Sequence, residues 1–458
     1  MVTDNHQLLF AERALLADGW ADDVVFAIGA DGRIAAIEQG APATGAKRLG
    51  GPAVPAIANL HSHAFQRAMA GLTEVAGQGE DSFWTWREEM YRLVSLLTPD
   101  DVVAIAAKLQ VELLKGGFGR VAEFHYLHHG TDGRSYEEPA EMSLAILRAA
   151  EMSGIGLTLL PVFYAHSDFG GVAPTSGQRR FIHDVDGFLI LLHGLVAPCR
   201  SAGARLGQAF HSLRAVTGDE IAAVMRAVPE HAPIHIHVAE QEREVAASIA
   251  HSGRRPVERL YDIADIDERW CLIHATHVTE AEVAMIAHSG AVAGLCPTTE
   301  ADLGDGIFPA SDFLAAEGRF GIGTDSHVAN SVADELRLLE YGQRLRDRRR
   351  NRMAGRPGAS VGRTLFDRAL AGGARAAGLS GSGFSVGAPA DIVVLDGRSP
   401  YLASLEGDAI LDRWIFGGIG SAVRDVMVGG RWLIEDGRHA KDEEIDRAFA
   451  ATLQRLKA

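Results

Sequence analysis

A chain of 458 residues, 47% apolar and 23% charged, has the makeup of a soluble protein with a full core. Its formal charge of −16 argues against a nucleic-acid binder or a partner of anionic membranes, yet leaves room for an acidic small substrate held by local arginines. Cys199, Cys271 and Cys296 lack CxxC spacing and fit a reducing compartment better than a disulfide framework.

The first segment, MVTDNHQLLFAERALLADGW, has neither a basic start nor an apolar h-region, so a cytoplasmic protein is expected. HQLLFAERALL and DDVVFAIGADGRIAAIEQ read as short strands, with Asp31-Gly32 as a hairpin turn. PADIVVLDGRSP and AVRDVMVGGRWLIEDGRH read likewise, with Gly429-Gly430 between strands. One small β-sandwich domain built from 1–54 and 386–440 is expected, followed by a C-terminal helix at 441–458 that opens with KDEEID. The longest apolar runs, such as LILLHGLV at 189–196, fall far short of the roughly 20 residues that cross a bilayer.

Between these ends, over 55–385, strand-like runs alternate with helical patterns. The runs are VPAIANLHSH, FGRVAEFHY, GIGLTLLPVFY, RLGQAFHSL, PIHIHVAE, WCLIHATHV, AVAGLCPTTE and RFGIGTDSH. Helices are expected at 101–117, 138–154 and 218–230, the last capped by Thr217. Eight such runs make an α/β protein with a (β/α)8 TIM-type barrel, whose strand C-termini converge on one mouth.

Nearly all eight runs end in residues capable of chemistry: His61 and His63, Glu123 and Tyr126, His211 and Arg214, His237 and Glu240, His274, Asp325. Each has a plainer reading when taken alone. An HxH at a strand end is more often unrelated to metal; His235 and His237 read as core histidines; Asp325 reads as a helix cap. Together they point to a metal site. Positions two apart share a strand face, so His61 and His63 offer two imidazoles to one ion. With His237 and Asp325 they form a normal set of ligands for Zn²⁺, one per chain, and Fe²⁺ or Mn²⁺ suits the same donors. Such an ion lowers the pKa of water toward ~7. Glu240 and His274 are then the proton carriers. His327, His125, His128, His129 and His277 read as supporting or loop residues, and RLRDRRRNR at 344–352 as a solvated helix face.

This pattern resembles the amidohydrolase superfamily, in its one-metal deaminase branch, over nearly the whole chain. NLHSHAFQRAMAGL, SFWTWREEMY, FHYLHH, HSLRAV, HIHVAEQ, LIHATHV and GTDSHV are similar to the formimidoylglutamate deiminases within it. That resemblance implies hydrolysis of N-formimidoyl-L-glutamate to N-formyl-L-glutamate and ammonia in histidine degradation. It implies zinc on His61, His63, His237 and Asp325, proton transfer by Glu240, His274 and Asp325, and a substrate pocket lined by Gln66, Arg87, Tyr126, His211 and Arg214. It also implies a homodimer. Chemistry agrees: a dicarboxylate with an amidine head calls for arginine forks at one end and an acceptor at the other. Arg87 lies in the aromatic segment 73–97, which is expected to fold over the mouth. Arg67 belongs to the same motif without a chemical role. The alternative within enzymes is a deaminase or chlorohydrolase of a purine or triazine, with less need of two arginines; outside them, a metal- or ligand-binding barrel.

Overall fold

The computed structural model describes residues 6–77, 81–420 and 422–457. Its centre is eight parallel strands, β1 (Ile57–Ser62), β2 (Phe118–His125), β3 (Gly156–Phe163), β4 (Gln208–Ser212), β5 (Ile234–Val238), β6 (Trp270–His274), β7 (Val292–Leu295) and β8 (Arg319–Ile322). They pair in sequence order and correspond to the eight runs read from the sequence. Strands covered by helices on one face and by the barrel interior on the other must be apolar on both, which is why they are near-continuous Val, Ile, Leu and Phe.

β8 does not itself reach the mouth. The chain runs three residues past it to Asp325, where a bridge to Ser62 and the bonds Thr324 N–His61 O (3.1 Å) and His63 N–Asp325 O (3.2 Å) close the barrel against β1. Gly323 makes this seam possible, because a Cβ there would lie 2.7 Å from the Cβ of His61. The closure therefore holds three of the expected ligands on one seam of hydrogen-bonded backbone.

Both ends of the chain build a second sheet of nine strands. The C-terminal strand Ile392–Leu395 pairs antiparallel with Ala53–Pro55, and the sheet continues through Gln7–Leu16 on one side and Val423–Val428 on the other. It buries its own apolar cluster, including Leu9, Phe26, Ile392 and Met427. Helix Ala409–Phe416, inside the segment read as sheet, packs instead on barrel helices Val332–Asp347 and Val361–Ala376.

Helix α1 (Phe83–Val94) is capped by Ser82 and covers the barrel mouth. Residues 78–80 of the expected covering segment lie outside the described residues. Helix α2 (Pro99–Lys115) receives the C-terminal helix Asp442–Lys457 through Lys108–Asp446 (2.7 Å), Lys115–Asp442 (2.8 Å) and Asp101–Arg455.

Two helix expectations need correction. The helix after Thr217 spans only Gly218–Met225, although the cap is present, with Thr217 accepting from Glu220 N. The basic run 344–352 is not one helix face. The helix ends at Asp347, Arg348 takes φ 54°, and Arg344, Arg346 and Arg352 pair with Glu340, Asp312 and Asp347, while Arg348, Arg349 and Arg350 are exposed. No helix among the described residues is long and apolar enough to cross a membrane.

Candidate active site

The strand ends bring the expected residues together. His61 Nε2 lies 3.0 Å from His237 Nε2 and 3.5 Å from Asp325 Oδ1, and His63 Nε2 lies 3.4 Å from Asp325 Oδ1. Two overlapping groups share His61: His61, His63 and Asp325, and His61, His237 and His274, with donor atoms in each mutually within 4.8 Å. All five side chains are buried.

Neighbouring backbone fixes which nitrogen faces the cluster. His63 Nδ1 donates to the carbonyl of Phe124, and His237 Nδ1 to that of His211, each at 2.9 Å. A carbonyl can only accept, so Nε2 of both rings presents a lone pair inward. Burial holds His61 down at about 3 and pushes His63 and His237 below the usual imidazole range. Burial disfavours the Asp325 anion, yet the hydrogen bond and charge of His61 outweigh it and keep the carboxyl well below its usual range. Neutral imidazoles beside an ionised carboxylate are the donor set a divalent cation takes. Nδ1 of His61 is buried with no partner among the described residues, so no hydrogen bond engages the outer nitrogen of this ring. The residues fit a metal.

Glu240 and His274 lie beside this cluster, with His274 Nε2 3.6 Å from Glu240 Oε1 and 3.6 Å from Asp325 Oδ2. Burial opposes a charged His274, but the carboxylates of Glu240, Glu300 and Asp325 override it and hold the ring up at about 10. Burial pushes Glu240 up to about 7, against the pull of the His274 charge. Ala239, His274, Ala275 and Asp325 all have positive φ, between 44° and 68°. Non-glycine residues held there cost about 1–3 kcal/mol each, and the strain clusters at the mouth.

The cavity above, about 550 Å³ with its mouth, is lined by Gln66, Arg87, Tyr126, His211 and Arg214 together with the cluster. Phe83, Trp86, Met90 and Tyr91 of α1 form its roof. Gln66 Nε2 donates to the Tyr126 hydroxyl at 3.1 Å. The guanidiniums of Arg87 and Arg214 lie 4.5 and 5.7 Å from the Trp84 ring, and Arg243 lies 4.4 Å from it. Nε of both Arg87 and Arg214 is buried without an acceptor among the described residues.

Several supports were not foreseen. Glu244 accepts from the backbone N–H of Ala239 and Glu240 (3.2 and 3.1 Å), fixing the turn that carries Glu240. Glu300 takes His274 Nδ1 at 3.4 Å. Ser62 faces away from the cluster, to Glu123 and His327. Asn59 accepts from the N–H of His61 and Thr324, each at 3.2 Å. Arg67 acquires a role: its fork holds Glu112 of α2 (2.8 and 3.3 Å) and the carbonyl of His327 (2.9 Å), tying the segment after β1 to the loop after β8. His277 stays outside the cluster, its carbonyl taken by Arg255.

Behind the site His128, His129 and His183 are packed together, with His128 and His129 donating to the carbonyls of Val162 and Ile182. Burial lowers His183 to about 4 and pushes His128 and His129 below their usual range. These rings stay neutral when folded and take protons when unfolded from about pH 6.5 downward. The unfolded state thus binds more protons, and stability is full above pH 6.5 and falls as pH drops through 4. Melting followed between pH 7.5 and 4.5 is expected to show a shallower decline for His183→Gln than for the native chain.

A closed parallel barrel whose strand ends gather three histidines and an aspartate around a covered cavity is the architecture of an amidohydrolase. The Amidohydrolase family model matches residues 53–433, and the model for the N-terminal domain of formimidoylglutamate deiminase HutF matches 6–51. The formimidoylglutamate deiminase of Pseudomonas aeruginosa is 59% identical over 98% of this chain and 99% of its own. A 5-methylthioadenosine/S-adenosylhomocysteine deaminase of Natronomonas pharaonis is 28% identical over 84% and 81%. The crystal structure of an amidohydrolase from Brucella melitensis superposes with a TM-score of 0.95, at 51% identity, covering 99% of this chain and all of that one. The zinc complex of an atrazine chlorohydrolase from Arthrobacter aurescens shares the fold, with a TM-score of 0.83 at 21% identity over 97% and 99% of the two chains. The chain belongs to the amidohydrolase family and, within it, to the formimidoylglutamate deiminases.

Proposed function

We propose that the chain hydrolyses N-formimidoyl-L-glutamate to N-formyl-L-glutamate and ammonia, as a zinc enzyme of histidine degradation. The observation that carries this reading is the pair of buried Nε atoms, on Arg87 and Arg214, that lack acceptors in a cavity shared with Glu240 and the His/Asp cluster. A glutamate supplies two carboxylates for two forks, and its amidine head is the cation a buried carboxylate binds. A purine or triazine leaves both arginines unpaired, at the cost of a buried unsatisfied charge.

His61, His63, His237 and Asp325 would hold the ion, which supplies Lewis acidity and a water of lowered pKa. The chain's own residues do the rest. Arg87 and Arg214 bind the carboxylates and aim the amidine at the cluster. Glu240 accepts hydrogen bonds from the amidine N–H groups and fixes the head. Asp325 takes the proton from the attacking water. His274, already charged, gives its own proton to the nitrogen and is recharged from Asp325, and Glu240 carries the second water proton to the same nitrogen, which then departs. The sum is HN=CH–NHR plus water giving O=CH–NHR plus ammonia, with every carrier returned to its starting state. Helix α1 keeps bulk water from the amidine.

Ammonia release from N-formimidoyl-L-glutamate, beside N-formimidoyl-L-aspartate and guanine, tests the assignment; activity on guanine alone would overturn it. Metal analysis of the active protein distinguishes zinc from iron or manganese. The proposed assembly is a homodimer, checked by sedimentation. Arg214→Ala removes one carboxylate fork and is expected to raise KM about 10- to 100-fold with a smaller change in kcat, as for a contact made equally in ground and transition states. An unchanged KM in steady-state kinetics argues against that contact.

A further inference from the structure

Beside the His/Asp cluster lies a second set of donors. Glu240, His274 and Asp305 each offer one ligand atom, and these atoms are mutually within 4.8 Å. The three residues are 5%, 1% and 5% exposed. Asp305 is held from one side only: its Oδ1 accepts from Gln241, and its backbone N–H donates to the Glu300 carbonyl at 2.9 Å. Its Oδ2 is buried with no donor among the described residues. A bare carboxylate oxygen beside a second buried carboxylate is costly unless a cation or a proton joins it.

The surroundings add negative charge. Glu300 lies against the far side of His274, and Asp325 is 3.6 Å from its near side. Burial first, and the Glu240 charge after it, push Asp305 up to about 9. The geometry suits a small ion. Ligands at about 2.1 Å around tetrahedral zinc stand about 3.4 Å apart. His274 Nε2 and Glu240 Oε1 already stand 3.6 Å apart. An imidazole with two carboxylates favours zinc or a similar transition metal over magnesium or calcium.

We propose that Glu240, His274 and Asp305 form a second, weaker site for a divalent transition-metal ion, separate from His61, His63, His237 and Asp325, and that filling it silences the enzyme. The captured ion occupies the lone pairs of Glu240 and His274, the two groups that must carry protons, and binding displaces any proton they hold. Asp305 is needed for this ion and not for turnover, because it lines neither the cavity nor the first cluster.

The test is a zinc titration of the one-ion holoenzyme, with bound zinc measured by equilibrium dialysis and turnover by ammonia release. The native chain is expected to take up a second ion and to lose turnover about 100-fold as it fills. Asp305→Asn keeps an acceptor for Gln241 but turns the free oxygen into an amide nitrogen. It is expected to stop at one ion and stay active in the same zinc, and Asp305→Ser is expected to do the same. A native chain that never exceeds one ion overturns the proposal, whatever the variants do. So does an Asp305→Asn chain that is silenced at the native zinc concentration. The loss of turnover rests on the proton-carrying role proposed for Glu240 and the stoichiometry does not, so the two readings fail separately.

Discussion

Glu240→Gln is expected to lower kcat by about 100- to 10,000-fold while the protein keeps its metal. Glutamine has the shape of glutamate and can still hydrogen-bond to an amidine, but it neither accepts nor returns a proton at any working pH. The turn that carries residue 240 is anchored through backbone N–H groups to Glu244 and not through the side chain of Glu240, so the substitution leaves the turn in place. Nor does Glu240 belong to either group of donors that contains His61. The native carboxyl, pushed up to about 7 by burial, moves a proton in both directions near neutral pH, which the amide cannot replace. A kcat near the native value in a fully loaded Glu240→Gln chain would falsify the assigned role. A raised KM at native kcat would instead make Glu240 a binding residue only.

The barrel was legible because parallel strands covered on both faces must be apolar along their length, and polar residues at the ends of most runs mark the open end. His61, His63, His237 and His274 lie on such strand ends, within β1, β5 and β6 or one residue beyond. Asp325 was legible only through its position in the eighth run, since the strand itself stops at Ile322 and the aspartate is carried by a left-handed turn. The supports were illegible for a physical reason. Glu244 acts on backbone N–H groups four and five residues behind it, Asn59 on Thr324 across the barrel seam, and Arg67 on Glu112 of another element. The Asn59 and Arg67 contacts exist only once the barrel closes, and the Glu244 contact only once the chain turns back after β5, so no strand or helix periodicity encodes them. The basic run 344–352 misled in the opposite sense. Its composition matched a solvated helix, while three of its arginines pair with Asp347 within the run and with Asp312 and Glu340 outside it, and Arg348 ends the helix midway.

His61→Ala is expected to abolish metal binding at stoichiometric zinc and to lower turnover by several orders of magnitude, because the water of lowered pKa goes with the ion. His61 is the donor common to both groups at the cluster, 3.0 Å from His237 and 3.5 Å from Asp325, so its loss removes the donor nearest to both and leaves three of the four ligands. The ring also contributes to the fold without metal. His237 presents a lone pair at Nε2, so the nitrogen of His61 that faces it carries the hydrogen in the metal-free chain. An ion must take that nitrogen, and the hydrogen then moves to Nδ1, which finds no acceptor among the described residues. Part of the binding energy is therefore spent on an unsatisfied N–H, about 1–3 kcal/mol by the usual cost of such a group. Two measurements check this. Native protein stripped by a chelator should recover activity on adding zinc, while His61→Ala should not. The ¹⁵N shifts of the His61 ring should report hydrogen on Nε2 before zinc and on Nδ1 after it. Stoichiometric zinc in a folded His61→Ala chain would remove His61 from the ligand set.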